Sequence, residues 1–64
     1  MTNAEWIRSM NDEELATWLC NISQFLSEKD EEWHVSVIDS HEEEIEIHDS
    51  YGDWKNWLEK ETNQ

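Results

Sequence analysis

His34, His41 and His48 recur every seven residues. Imidazole nitrogens joined by a carboxylate such as Glu46 can form a zinc site. Cys20 is the only cysteine, so neither an intrachain disulfide nor a cysteine-rich zinc site is available. Two imidazoles on a polar strand face are ordinary, and His41 falls in a loop where a spacing of seven has no geometric meaning. No metal and no cofactor are therefore expected. Carboxylates are so plentiful that some pair can be found at any spacing, and no acid/base couple can be read from them. The chain has one glycine and no glycine-rich phosphate loop. A catalytic pocket needs walls deep enough to hold a substrate, and 64 residues leave little room for one. No enzymatic activity is expected.

The charge itself carries more information. Seventeen Asp and Glu stand against four Lys and Arg, a formal net charge of −13. Self-repulsion of that size adds nothing to folding stability, so the excess suits solubility, disorder or a cationic partner. Some acids have structural duties: Glu5 and Glu14 sit where capping boxes need them, and Asp12 and Glu13 complement a helix dipole. Asp30, Glu31 and Glu32 have no such duty, nor do Glu42, Glu43, Glu44 and Glu46. These seven are the expected partner-binding residues. Glu42, Glu44 and Glu46 alternate along a predicted strand and would project about 6.6 Å apart, a spacing on the scale of successive phosphates.

High charge with low hydrophobicity is also the signature of disorder. Trp6, Trp18, Trp33, Trp54 and Trp57, with Phe25 and Tyr51, are spread along the chain, and solvating acidic tails normally lack aromatics. Residues 1–64 therefore read as one small acidic domain. At this length only about 60% of the unfolded surface can be buried, so large aromatics must fill a thin core, and pairing as a homodimer would support it further. No stretch has the basic-then-apolar order of a signal peptide or the length of a membrane span. A cytoplasmic protein with no membrane contact is expected.

The elements follow from caps and periodicity. Thr2 to Glu5 has capping-box spacing and opens a first helix, with Trp6, Ile7 and Met10 on one face. Asn11 caps a second helix expected over about Asp12 to Ser27, because Leu15, Trp18, Leu19, Ile22, Phe25 and Leu26 make one apolar stripe at helical spacing. Cys20 lies off that stripe, toward the surface. Beyond the charged break from Ser27 to Glu32 the period becomes two: Trp33, Val35 and Val37, then Ile45 and Ile47, alternate with polar residues. This predicts a β-hairpin with Val37 opposite Ile45, Val35 opposite Ile47 and His34 opposite His48, closed by a loop from Asp39 to Glu43. Trp54, Trp57 and Leu58 mark a final helix capped at Ser50 or Asp53 and ending near Glu61, with residues 62–64 expected to fray. The fold class is α+β: two N-terminal helices, a β-hairpin and a short C-terminal helix around one small core.

The segment Met1 to Ala16, MTNAEWIRSMNDEELA, resembles the opening shared by many short proteins from phages and prophages of Gram-positive gut bacteria. Trp54-Lys55-Asn56-Trp57-Leu58-Glu59 resembles their closing W-x-x-W-L segment. The resemblance implies a phage origin. Many of those proteins carry several central cysteines that look metal-binding, where this chain has an acidic hairpin. Small size and acidity further resemble the strategy of anti-CRISPR and anti-restriction inhibitors, several of which imitate nucleic acid. An effector that grips DNA or RNA presents a Lys/Arg-lined groove that an acidic domain can occupy. The expected partner is a basic nucleic-acid-binding protein such as a CRISPR or restriction effector, met in the host cytoplasm, rather than nucleic acid itself. The alternatives are a phage adaptor that docks through exposed aromatics and a small metal-binding protein.

Overall fold

The computed structural model describes residues 1–62. Helix α1 spans Asn3–Arg8 and α2 spans Asp12–Cys20. Both begin with the capping boxes their sequences spell out. Thr2 Oγ1 accepts from the Glu5 N–H at 3.1 Å while Glu5 accepts from the Thr2 N–H at 2.7 Å. Asn11 and Glu14 repeat the exchange at 2.8 and 3.0 Å. Three strands follow, β1 (Ser23–Leu26), β2 (Trp33–Ile38) and β3 (Glu44–His48), and then α3 (Tyr51–Glu59). Ser50 caps α3 by accepting from the Asp53 N–H.

The second helix is shorter than its apolar stripe suggests. It stops at Cys20, where Asn21 donates back to the Thr17 carbonyl, and the last part of the expected helix is instead strand β1. Helical spacing of apolar residues cannot distinguish helix from strand over so few positions. Ile22 and Phe25 suit a pleated surface, and a two-stranded hairpin alone is marginal in water. Pairing Ser23–Leu26 along the free side of β2 supplies a third strand, giving an antiparallel sheet in the order β1-β2-β3. The stripe is split accordingly. Trp18 and Ile22 pack on the core, Phe25 lies on the outer sheet face against His34, and Leu19 and Leu26 are each 53% exposed.

The hairpin has the register its alternation predicts. His34 pairs with His48, Val35 with Ile47 and Val37 with Ile45, and Asp39 to Glu43 form the loop, closed by the Asp39 N–H donating to the Glu43 carbonyl. A slip of one residue would turn the valines and isoleucines out to water, which is why parity is decisive here. Val35, Val37 and Ile47 form the buried centre with Trp57 from α3. Trp18 stacks on Trp57 with ring centroids 6.3 Å apart and planes 4° from parallel, and Trp6 meets Trp18 edge-on. The Trp18 indole N–H donates to the Ile38 carbonyl at 2.6 Å, anchoring α2 to the end of β2.

The ends of the chain are joined. The Asn3 N–H donates to the Lys60 carbonyl and the Thr62 N–H to the Met1 carbonyl, both at 2.8 Å. Buried Asn3 also donates its side-chain amide to the Trp57 carbonyl. Thr62, expected to fray, is therefore buried and held, while the rest of that expectation, at 63 and 64, lies outside the described residues. One sheet face is covered by helices and the other is open. That open face carries much of the acidic chemistry.

Candidate acidic interaction surface

Alternation along β2 and β3 sends His34, Glu44, Glu46 and His48 to the open face, opposite the buried valines and isoleucines. His34 and His48 meet across the strands with ring centroids 5.1 Å apart, and Phe25 of β1 stacks on His34 at 5.8 Å. Four carboxylates surround this pair. Asp30 Oδ2 lies 3.0 Å from His34 Nε2 and Glu46 Oε1 lies 3.7 Å from His34 Nδ1. Glu32 Oε2 is 3.4 Å from His48 Nε2, and Asp53 Oδ2 is 3.2 Å from His48 Nδ1.

One carboxylate of the second acidic run is thereby brought to two of the first. Asp30 and Glu32, from the turn after β1, share the histidine pair with Glu46 from β3. Asp30 and Glu32 also acquire a structural duty that their sequence does not reveal: Asp30 Oδ1 accepts the Glu32 N–H at 3.1 Å, and both carboxylates hold an imidazole. Glu31 occupies the turn with φ 57°. Each ring nitrogen of the pair is directed at a carboxylate, and no group of three or more His, Cys, Asp or Glu side chains among the described residues is arranged to hold a metal ion.

Glu42 and Glu43 lie at the other end of β2, in the β2–β3 loop, with Glu44 at the start of β3, so Glu42 is not part of the strand on which the alternation placed it with Glu44 and Glu46. Asp39 organises this loop by accepting the N–H groups of His41 and Glu43 at 2.9 and 3.0 Å. Glu42 has φ 60°. Beside it runs a groove of about 870 Å³ between α2 and the loop, with Trp6 and Trp18 among its walls and Glu13, Glu14, Asp39 and Glu42 contributing carboxylates. Carboxylates lining a groove suit a Lys or Arg side chain. Glu13, Glu14 and Asp39 thus line a groove that sequence reasoning did not anticipate. The two glutamates were accounted for by helix starts, and nothing local signals that the hairpin loop folds beside α2.

The electrostatics of individual acids follow from their donors. Asp30 is held below the ordinary 3.8, first by the hydrogen bond from His34 and then by the Glu32 N–H. Asp53 is lowered from the same value, first by the Ser50 hydroxyl and then by His48. Glu5 is lowered from 4.5, first by the Thr2 N–H and then by the Thr2 hydroxyl. Lowered carboxyl values mean that the fold favours the ionised form. The stability these groups add is complete above their ordinary values and is lost as pH falls through the lowered ones. Carbon-13 NMR titration should place all three midpoints below those ordinary values; a midpoint at or above its ordinary value would remove the corresponding hydrogen bond from the account.

Among the described residues, no helix is long and apolar enough to cross a membrane. No family model, curated protein or solved structure matches this chain.

Proposed function

We propose that the protein is a phage-encoded, non-catalytic inhibitor of a host defence effector, an acidic domain that occupies a basic nucleic-acid-binding surface in place of phosphates. The observation that carries this reading is the exposure of its acids without Lys or Arg partners. Asp30, Glu31, Glu32, Glu42, Glu43, Glu44 and Glu46 all lie at the surface. Their close polar contacts run to histidines, while the one Lys–carboxylate pair among the described residues, Lys55 with Glu59 at 3.4 Å, lies on α3. The backbone adds support. Glu31 and Glu42 occupy left-handed φ, a conformation costing a residue with a Cβ about 1–2 kcal/mol and usually given to Gly or Asn. Carboxylates stand at both positions where the fold alone favours a smaller residue. The resemblance of the opening and closing segments to phage proteins supports the origin.

A second reading has its own observation. Tyr51 is 82% exposed and Trp33 52%, which favours an adaptor that docks through aromatics.

Salt separates the two. Screening should raise the melting temperature of the free protein by relieving self-repulsion, and should weaken attraction to a basic groove. Capture from host lysate at low and high salt, identification of the bound protein, and competition against that protein's nucleic acid form the test. Inhibition predicts displacement of the nucleic acid and an affinity falling about tenfold or more between roughly 50 and 200 mM salt. Binding that is constant or tighter at high salt, with no displacement, would replace this reading by the aromatic adaptor.

A further inference from the structure

We propose that the free edge of β1 is a docking site for an extended, Lys/Arg-bearing segment of a partner protein, which joins the sheet as a fourth strand. The Ser27 N–H donates to the Glu32 carbonyl at 2.9 Å, and the register continues through Phe25 opposite His34 and Ser23 opposite Ser36. In an antiparallel ladder these alternate residues turn their backbone groups toward the neighbour, and the intervening residues turn theirs away. The N–H and C=O groups of Gln24 and Leu26 therefore point outward, and none has a backbone or side-chain partner among the described residues. An open row of this kind is a template for another strand.

The two edges of the sheet are treated differently. β3 carries Glu44 and Glu46 and has α3 packed against it, and charged side chains are a common means of blunting an edge. β1 is Ser-Gln-Phe-Leu, with no charge and no proline, inside a stretch from Leu15 to Ser27 that contains no charged residue at all. In a chain that is 33% charged, this edge alone lacks that protection.

Charge selects the occupant. A second copy carries the same net charge of −13 over the whole chain, and repulsion between the two chains opposes β1-to-β1 pairing. The turn at the end of β1 presents exposed Asp30, Glu31 and Glu32, so an incoming strand with Lys or Arg is attracted where a second copy is repelled. Side-chain alternation sets the rest of the pattern. On one face Leu26 and Trp33 are cross-strand neighbours, 53% and 52% exposed, and suit an apolar residue. The other face, with Phe25, His34 and Asp30, suits a cation. An alternating basic and apolar segment meets both. This inference rests on the proposed inhibitor reading only for the sign of the partner's charge.

The test uses the full chain and two synthetic decapeptides of alternating Lys and Val, one ordinary and one N-methylated at every backbone amide. Amide exchange followed by NMR should show the Gln24 and Leu26 N–H groups slowed about tenfold or more by the ordinary peptide. The methylated peptide keeps its charge but cannot donate, and should bind about tenfold or more weakly. Leu26→Pro removes an outward N–H without touching a ladder bond and should weaken the ordinary peptide similarly. The wild-type comparison of the two peptides stands even if that variant fails to fold. Equal binding of both peptides, protection confined to the loop around Glu42, or no binding at all would overturn the proposal. So would protection of Gln24 and Leu26 by self-association without peptide, which would make a second copy the occupant. Edge protection that survives a failure of nucleic-acid displacement would remove the inhibitor reading alone, and the reverse result would remove this one alone.

Discussion

Trp57→Ala is expected to leave little or no folded protein at room temperature. Trp57 is 8% exposed and forms the centre of the core with Val35, Val37 and Ile47, stacked on Trp18 and edge-on to Trp54 at 6.1 Å. Truncating a buried aromatic of this kind costs about 3–5 kcal/mol, since the transfer energy is lost and the cavity only partly collapses. A domain of this size has total stability on the order of 3–10 kcal/mol, so the change removes a large fraction of it. Trp18→Ala should be the next most severe, because it removes the stacked partner and the indole N–H that anchors α2 to the Ile38 carbonyl. Urea unfolding followed by circular dichroism measures both. A Trp57→Ala protein that melts cooperatively within about 1 kcal/mol of wild type would show that the core does not depend on the tryptophan stack.

Neutralising Glu42, Glu43, Glu44 and Glu46 together to Gln is expected to separate stability from binding. None of the four side chains caps a helix or enters the core. Glu43 serves the loop through its backbone, and Glu46 approaches His34 at 3.7 Å from an exposed position, where an ion pair adds little. Relief of repulsion should leave the melting temperature equal or higher. Affinity for the captured effector should fall about 4- to 1,000-fold, taking each of the four exposed charge contacts as roughly 0.2–1 kcal/mol. The matched change at Asp30, Glu31 and Glu32 should behave differently. Asp30 holds the Glu32 N–H and His34, and its ionised form is favoured by the fold, so this set should lower melting temperature along with affinity. Melting curves and binding isotherms measured side by side decide the matter. Full binding by the loop-and-strand set would take the hairpin out of the mechanism and point to the groove beside α2 and the exposed aromatics.

Features governed by interactions a few residues apart were legible in the sequence. Both capping boxes, a cap at Ser50 or Asp53 of which the structure uses Ser50, the exposed position of Cys20 and the limits of the hairpin loop are of this kind. The register belongs with them, since strand side chains alternate with period two and only matched parity buries Val35, Val37, Ile45 and Ile47 on one face. What remained was decided by pairs distant along the chain. The segment Asn21 to Leu26 carries apolar residues at spacings a helix could use, and only the vacant side of β2 makes it a strand. That strand turns Phe25 onto His34 and opens a charge-free edge. It also sets the turn that carries Asp30 and Glu32 to the histidine pair, where Glu46 arrives from β3. Composition determined that this protein presents a negative surface; tertiary pairing decided which carboxylates share it, because charges far apart in sequence meet only after the sheet has brought their backbones together.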